Sequence, residues 1–506
     1  MAILHPARQS EPSPGIADAD GRRSAGDPIP VMGGTPVTPV PARMEPPDGP
    51  TVAFDPERVT RLLEGESRRL DEATAGSAAM FGRAKLTLAG GVPSSYQARK
   101  PWPIYLTRGD GQYVWDVDGR RYLDVHNAFG SMVQGHAHPA ITEAVSRRMA
   151  LGTHFAAPTE DAIVVAEELE RRFGLPQWRF LNSGSEATMD AIRLARAVTG
   201  RDTVLKIFGS YHGHHDYVMV SIGLSESQMG DREDYPSVAY GAGIPPSVTA
   251  MTVAVPFNDA DALERRIVRL EAEGRAPACL IMEAALMNCG VILPEAGYLD
   301  RVREITRRHG IVWIVDEVKT GLTIASGGAC EYFGIEPDIV CLAKALGGGL
   351  PAAAIGATHE MMEPVLDGRV CMVGTYNGNP LVMAAARANL LEVLTPDAYA
   401  RLEEINRRLL DGTQGIIDAY RIAAYPVGIR SKGVVAFSDT KLVDYETFKR
   451  AQDDRLMSLA WLWNMNRGIF ATPGREEEWT LSIRMTDEDI DHYIATFGEL
   501  VDALTR

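Results

Sequence analysis

Hydrophobic positions between residues 126 and 385 fall into short apolar runs that alternate with stretches of helical periodicity. Such runs, separated by helices, are typical of strands that are buried on both faces of a parallel sheet. The pattern therefore predicts an α/β fold, with an open, mostly parallel sheet covered by helices. The predicted strands are Val204–Phe208, Cys279–Ala285, Ile311–Val318, Ile339–Leu342 and Ala354–Ala357.

The segments on either side of this region predict a second, smaller domain. Tyr113–Asp124 has the pattern of a β-hairpin, and helical spacing dominates after residue 386. We therefore expect residues 51–125 and 386–506 to form one α+β domain from both chain ends, beside a large domain of residues 126–385. Residues 1–50 are dense in Pro, Gly, Ala and charge without any period, which predicts a disordered tail.

Composition narrows the class of protein. The chain has 506 residues, 45% of them apolar, and a formal charge of -16, which disfavours nucleic acid and anionic membranes as partners. No apolar run of about 18 residues predicts a membrane span, and the N-terminus lacks the apolar segment of a secretory signal. The five cysteines show neither a Cys-x-x-Cys pair nor metal-ligand spacing. We expect a cytoplasmic protein without a metal.

Two residues at predicted strand ends indicate chemistry. Asp316 lies at the end of an apolar run, and Lys344 precedes the glycine-rich segment Gly347-Gly348-Gly349. A lysine can bind the aldehyde of pyridoxal phosphate as a Schiff base, and an aspartate can keep the pyridine nitrogen protonated. We therefore expect this cofactor at Lys344. Lys319, which lacks a following glycine run, is expected in a salt bridge or in solvent.

A phosphate-binding segment is predicted at Asn182–Ala187. Ser183 and Glu186 have the spacing of a capping box, so a helix should begin here. The exposed N–H groups of a helix N-terminus can hold a phosphate, and a glycine permits close approach. On this segment alone an ordinary capped helix is favoured, and the phosphate site is predicted only together with the other motifs.

An aromatic residue follows the next predicted strand. Tyr211 is suited to stacking on a flat cofactor. His212, His214 and His215 come directly after it and suggest a metal site instead. We disfavour the metal interpretation, because no second ligand cluster at metal spacing supports it.

Taken together, the ordered motifs resemble those of class III aminotransferases of fold type I, which use pyridoxal phosphate. Within that family the chain most resembles glutamate-1-semialdehyde 2,1-aminomutase and its aminotransferase-like relatives. The likeness runs from about Leu88 to the C-terminus. It is carried by Asn182–Ala187, Tyr211–His214, Asp316–Gly321, Leu342–Pro351 and Gly374–Pro380.

The resemblance implies roles for five residues around the cofactor. Lys344 would form the Schiff base, and Asp316 would pair with the pyridine nitrogen. Gly184 and Ser185 would bind the phosphate, and Tyr211 would stack on the ring.

Three further residues are implied to complete the site. Thr375 would reach the phosphate of the neighbouring subunit's cofactor, which implies a homodimer with shared active sites. Glu186 and Glu283 would support the cofactor region. For Glu283 the alternative is a strand-end acid paired with a local arginine.

The chain departs from the aminomutase pattern at two positions. Gln97 stands where the aminomutase has an arginine that would hold a substrate carboxylate, and an amide cannot make that bidentate pair. Arg484 stands where the aminomutase has a small residue, so we hypothesise that Arg484 binds a substrate carboxylate instead. The alternative is a pairing of Arg484 with Asp487 or Glu488. Arg99 is a weaker candidate for the carboxylate anchor.

The resemblance predicts a class III aminotransferase that moves an amino group from an amine donor to a carbonyl acceptor by a ping-pong mechanism. The alternative is an intramolecular aminomutase or an amino-acid racemase or epimerase, which needs no acceptor. A non-catalytic binding protein on the same scaffold is disfavoured, since Lys344, Asp316 and Thr375 are all present.

Overall fold

The computed structural model describes residues 45–49, 51–472 and 478–506. Nearly all of the predicted disordered tail therefore lies outside the described residues. The α-helices are α1 Pro56–Ala73, α2 Ala75–Ala84, α3 Asn127–Gly130, α4 Pro139–Leu151, α5 Glu160–Phe173, α6 Gly184–Thr199, α7 Glu226–Met229, α8 Pro246–Thr249, α9 Ala260–Ala272, α10 Tyr298–Arg308, α11 Gly328–Phe333, α12 His359–Leu366, α13 Pro380–Ala388, α14 Pro396–Tyr420, α15 Tyr445–Ala451, α16 Asp454–Asn466 and α17 Asp487–Thr505. Short 3-10 helices span Ala89–Gly91, Ser95–Gln97 and Lys344–Gly347, and a π-helix spans Asn389–Val393.

The strands are β1 Leu106–Asp110, β2 Tyr113–Asp116, β3 Arg121–Asp124, β4 Gln177–Leu181, β5 Thr203–Ile207, β6 Thr252–Val255, β7 Pro277–Met282, β8 Val312–Asp316, β9 Ile339–Leu342, β10 Ala353–Ala357, β11 Tyr425–Ile429, β12 Lys432–Ala436, β13 Ile469–Phe470 and β14 Glu478–Thr480. Seven of them form one large sheet in the order β4-β10-β9-β8-β7-β5-β6. Within it only β10 runs antiparallel to its neighbours, so the predicted α/β fold with a mostly parallel sheet is confirmed.

The predicted strands of this sheet correspond to β5, β7, β8, β9 and β10. All five are buried along their whole length, which is why an uninterrupted apolar run reveals them. The sequence prediction missed β4 and β6. The outer strand β4 reads Gln-Trp-Arg-Phe-Leu and is mostly half-buried, so it lacks the apolar run. The other missed strand, β6, is as short and as buried as the predicted strand β9.

Parallel pairing brings distant residues to one edge of this sheet. Asp316, the last residue of β8, lies opposite Cys341 of β9. Lys344 follows Cys341 by three residues and is therefore delivered to the same edge. The carboxyl end of β7 lies beside that of β8, which adds Glu283 to this edge.

Helix α6 covers one face of the sheet. Its capping box and its end at Gly200, which has left-handed backbone, agree with the sequence prediction. The buried face carries Ala187, Ala191, Leu194 and further residues that belong to the same apolar cluster as residues of β8 and β9. This packing fixes the N-terminus of α6 close to the strand ends.

The chain ends share a second sheet. Strands β2 and β3 pair as the predicted hairpin, and β13 pairs in parallel with β3. A third sheet contains β11, β12 and β14. Residues from both ends of the chain therefore pair with each other, while the domain boundaries themselves stay predictions. No helix among the described residues is both long and apolar enough to cross a membrane.

Gly356 provides a test of how the antiparallel strand is held. It lies opposite Trp178 in the pairing of β10 with β4, and a Cβ atom at this position would lie 2.4 Å from the Trp178 ring. We expect Gly356→Ala to lower the free energy of unfolding by roughly 1–3 kcal/mol, measured by urea denaturation, because the ring must move. The matched control is Gly415→Ala in α14, where an added Cβ meets no atom within 4 Å. That change should leave stability unaltered or raise it by up to about 1 kcal/mol. Equal effects of the two substitutions would contradict the packing argument.

Candidate active site

A cavity of about 630 Å³ opens at the carboxyl edge of the large sheet. It lies where β4, β5, β7, β8 and β9 end, the usual position of a ligand in an open parallel sheet. Five of the predicted cofactor residues line it: Gly184, Ser185, Tyr211, Asp316 and Lys344. Residues from four separate chain segments thus converge on one site.

Asp316 is almost completely buried and is held by two donors. Its Oδ1 accepts from the Val318 amide at 2.9 Å, and its Oδ2 lies 2.7 Å from His212 Nδ1. The His212 Nε2 in turn lies 2.8 Å from the Ser210 hydroxyl. A carboxylate can only accept, so His212 Nδ1 donates to Asp316. The remaining capacity of the Asp316 carboxylate can serve a protonated nitrogen in the cavity.

His212 is a site residue whose role the sequence did not indicate. Burial lowers the pKa of His212, although the hydrogen bond to Asp316 and its charge act in the opposite direction. A neutral ring orients the aspartate without cancelling its charge. The adjacent histidines suggested a metal, whereas the contact with Asp316 spans 104 residues of sequence and leaves no local signal.

Lys344 begins a short 3-10 helix with its backbone in the left-handed region, at a φ of 45°. The pKa of Lys344 is lowered from 10.5 to about 8, mainly by burial. Within that net shift, the ammonium groups of Lys319 and Lys432 act in the same direction as burial, while the carboxylates of Asp316 and Glu283 oppose it. A larger neutral fraction at physiological pH makes this amine a better nucleophile and base.

The N-terminus of α6, where a phosphate cradle is predicted, faces the cavity through Gly184 and Ser185. The Glu186 carboxylate accepts from the amides of Asn182 and Ser183, which fixes the loop, and Glu186 itself lies outside the cavity lining. The Ser185 hydroxyl accepts from the His214 amide at 2.7 Å. These contacts hold the positive end of the helix dipole towards the cavity.

Close contacts leave no room for side chains at this cradle. A Cβ atom on Gly184 would lie 2.9 Å from Val318, and one on Gly213 would lie 2.7 Å from the Ser185 Cα. Gly213 also has a φ of 107°, which favours glycine. The backbone here can therefore approach an anionic group directly.

The cavity residues fit pyridoxal phosphate. The cradle suits its phosphate, Asp316 its pyridine nitrogen and Lys344 its aldehyde. Tyr211 supplies an aromatic face, and its ring packs edge-on against Tyr96, with centroids 6.0 Å apart. Among the described residues, no cluster of three or more His, Cys, Asp or Glu is placed to hold a metal ion.

Glu283 and Lys319 also line the cavity. Glu283 accepts from the Met287 amide and the Asn288 side chain, both at 3.3 Å. Lys319 is only 8% exposed, and its ammonium donates to the Met287 carbonyl at 2.5 Å. Lys319 was expected in a salt bridge or in solvent, and the solvent position is wrong, because the loop after β8 turns the side chain inwards. The salt bridge stays a prediction.

The two predicted substrate residues lie outside the cavity lining. Gln97 is exposed, and its neighbour Tyr96 lines the cavity instead. Arg484 is exposed and its side chain covers Gly135, where a Cβ would lie 2.5 Å from the Arg484 Cγ. This geometry does not support a role for either residue in binding a carboxylate in this cavity.

The structure also shows the contacts of Asp487, a proposed partner of Arg484, and of Arg99, the weaker candidate for the carboxylate anchor. Asp487, a proposed partner of Arg484, pairs with Arg401 at 2.9 Å. Arg99 stacks on the Trp461 ring at 4.6 Å and donates to the Trp102 carbonyl at 3.2 Å. Arg99 therefore has a packing role, and the structure does not favour it as an anchor.

Thr375 also lies outside the cavity lining. It is exposed, next to Tyr376, a residue that is 61% exposed and whose ring centroid lies 5.0 Å from that of His154. A contact with a cofactor in another subunit stays a prediction.

The lowered pKa of Lys344 can be measured in cofactor-free protein. We expect dinitrophenylation of Lys344, followed by peptide mass spectrometry, to show a pH midpoint near 8, because only the neutral amine reacts. Exposed lysines in the same digest serve as internal controls and should react with a midpoint near the usual value of about 10.4. A Lys344 midpoint equal to theirs would contradict the proposed environment.

Sequence comparison identifies one family model and a set of similar enzymes that share one name. Residues 95–459 match the family model "Aminotransferase class-III". The chain is 39% identical over 427 residues to glutamate-1-semialdehyde 2,1-aminomutase of Methanocaldococcus jannaschii, covering 84% of this chain and 97% of the relative. The enzyme of the same name from Chloroflexus aurantiacus is 38% identical over 433 residues, covering 83% and 95%.

Solved structures agree with the fold. A glutamate-1-semialdehyde aminomutase from Pseudomonas aeruginosa in complex with PMP has a TM-score of 0.81 and 28% identity, covering 90% of this chain and all of that one. An ω-transaminase from Sphaerobacter thermophilus has a TM-score of 0.79 and 33% identity, covering 85% and 98%. These likenesses, together with the cavity residues, identify the cofactor as pyridoxal phosphate. The chain belongs to the class III aminotransferase family of pyridoxal-phosphate-dependent enzymes of fold type I.

Proposed function

We propose that this enzyme moves an amino group within a single substrate, as an aminomutase of the glutamate-1-semialdehyde type. The observation that carries the proposal is the 39% identity to an aminomutase over 84% of the chain. The cavity geometry is compatible with it, since all the predicted cofactor residues of this subunit except Thr375 converge there. The aminotransferase activity that the sequence motifs first suggested is the second candidate.

Each cavity residue has a definite task in amino-group chemistry. Pyridoxal phosphate, when bound, supplies an aldehyde that captures amines and a ring that withdraws electrons from the adjacent carbon. Asp316 keeps a proton on the pyridine nitrogen, and His212 holds the carboxylate in place. Gly184 and Ser185 anchor the phosphate at the α6 N-terminus. Tyr211 limits movement of the ring.

Lys344 carries out the proton transfers. A depressed pKa leaves much of this amine neutral, so Lys344 can accept a proton from the substrate carbon. The resulting ammonium can return a proton, while nitrogen itself would change carbons through the bound cofactor, which would take up the amino group from one substrate carbon and supply one to the neighbouring carbonyl carbon. Its flexible side chain and its position beside Asp316 allow both steps from one residue.

One observation favours the second candidate, an aminotransferase. Gln97 replaces the arginine that the aminomutase pattern would use for a substrate carboxylate, and Tyr96 lines the cavity in that region. A substrate with an apolar group would suit this wall better than one with a carboxylate. The similarity to an ω-transaminase structure supports the same direction.

The need for an acceptor distinguishes the candidates. We expect the purified enzyme to convert glutamate-1-semialdehyde alone into the isomer with the amino group on carbon 1, because the shift is intramolecular. Chromatography of the product measures the conversion, and Lys344→Ala should reduce it by at least about 100-fold. Turnover that starts only after a keto acid is added would reject the aminomutase and favour the aminotransferase.

We also propose that the working unit is a homodimer with shared active sites. Thr375 lies at an exposed, partly apolar surface that includes Val373 and Tyr376, 79% and 61% exposed. Such a surface is costly in water and suits a second copy of the chain. In that arrangement Thr375 would contact the phosphate in the partner's cavity.

Mixing two inactive variants tests the shared site. Lys344→Ala removes the nucleophile, and Thr375→Asp places a negative charge where the partner's phosphate would lie. A mixed dimer would keep one intact site, so unfolding and refolding the two variants together should restore about a quarter of wild-type activity. Each variant refolded alone serves as the control. Recovery no greater than that of the separate variants would contradict a shared site.

A further inference from the structure

Lys319 is a second lysine in the cavity, for which the proposed reaction has no task. It lies three residues beyond Asp316, in the loop that follows β8. The ammonium reaches the loop after β7, where it donates to the Met287 carbonyl. Lys319 is thus a buried residue of the cavity lining, as are Asp316 and Glu283. Tyr96 and Tyr240 line the same cavity and are exposed.

Lys319 and Lys344 line the same cavity, so their positive charges act on each other. After burial, the Lys319 ammonium is the strongest influence that lowers the pKa of Lys344, and Lys432 acts in the same direction. Asp316 and Glu283 supply the opposing negative charges. With the cofactor bound, an anionic oxygen between Lys319 and the protonated Schiff-base nitrogen of Lys344 would be stabilised by both positive charges.

The covalent structure of the cofactor identifies the oxygen that can lie between Lys319 and Lys344. On the pyridoxal ring, the carbon that bears the aldehyde has two neighbours, one with the hydroxyl group and one with the phosphate arm. The α6 cradle at Gly184 and Ser185 takes the phosphate arm, and Lys344 takes the aldehyde. The hydroxyl oxygen must then lie next to Lys344 on the side away from the cradle.

We propose that Lys319 contacts this ring hydroxyl and stabilises it as a phenolate. The inference rests on the proposed function, since it requires the cofactor in the orientation that Asp316 and Lys344 define. Lys319 would then be a cofactor-binding residue that sets the charge on the ring before any substrate enters. A cationic donor at a phenolate makes a stronger hydrogen bond than a neutral one.

The visible spectrum of the loaded enzyme, titrated with pH in the absence of substrate, tests the proposal. The bound cofactor loses a proton on going from its yellow form to its near-ultraviolet form, and a nearby cation favours that loss. We expect Lys319→Met to raise the pH midpoint of this transition by about one unit, because the cation is removed. Lys319→Gln, which keeps a donor without charge, should also raise it. Lys319→Arg should stay close to wild type.

The same substitution at an exposed lysine is the matched control. Lys441 is 43% exposed and pairs with Glu295 at 3.0 Å, and it does not line the cavity. Lys441→Met should leave the midpoint unchanged. A second readout needs no cofactor: in cofactor-free Lys319→Met, the pH midpoint for dinitrophenylation of Lys344 should rise above the wild-type value.

Three outcomes would be informative in different ways. An unchanged spectral midpoint in both Lys319→Met and Lys319→Gln, with the cofactor still bound, overturns the proposal. An unchanged midpoint with a raised KM for carboxylated donors overturns it as well, and assigns Lys319 to a substrate carboxylate. A wild-type protein without any visible band would instead refute the cofactor assignment on which the proposed function rests.

Discussion

The parallel pairing of β8 with β9 is the constraint on which the site depends. Because Asp316 lies opposite Cys341, the acid and Lys344 reach the same edge of the sheet although 28 residues separate them in sequence. A register shift of one residue would turn the side chains of β8 to the opposite face of the sheet. The complete burial of both strands specifies the register, so the apolar core positions the two charged groups.

Burial has a second consequence, which is chemical. The cavity collects two carboxylates and two lysines, of which Asp316, Glu283 and Lys319 are buried. Each charge there is felt strongly by the others, so the protonation of Lys344 depends on its neighbours as much as on bulk pH. The same effect makes His212 a suitable partner for Asp316, since a buried imidazole stays neutral more readily.

Sequence patterns predicted those parts of this protein whose structure depends on neighbouring residues in the chain. The buried strands appear as apolar runs, and the helix start at Ser183 and Glu186 follows from its capping box. Those patterns also placed Lys344, Asp316 and the α6 cradle in one cavity. The contact between His212 and Asp316 could not be found in this way, because tertiary packing alone creates it. The direction of a loop side chain also depends on tertiary packing, so the sequence did not show that Lys319 is buried in the cavity or that Arg484 lies outside it.

The left-handed backbone of Lys344 shows what the fold gives up for its chemistry. A residue with a Cβ atom in this conformation is less stable than glycine would be, typically by about 1 kcal/mol. Glycine at this position would relieve the strain and remove the reactive amine. The fold therefore sacrifices some stability at its reactive centre, and the densely packed strands around it make that loss tolerable. Selection for stability alone would therefore replace Lys344 in this turn before it replaced residues of the core.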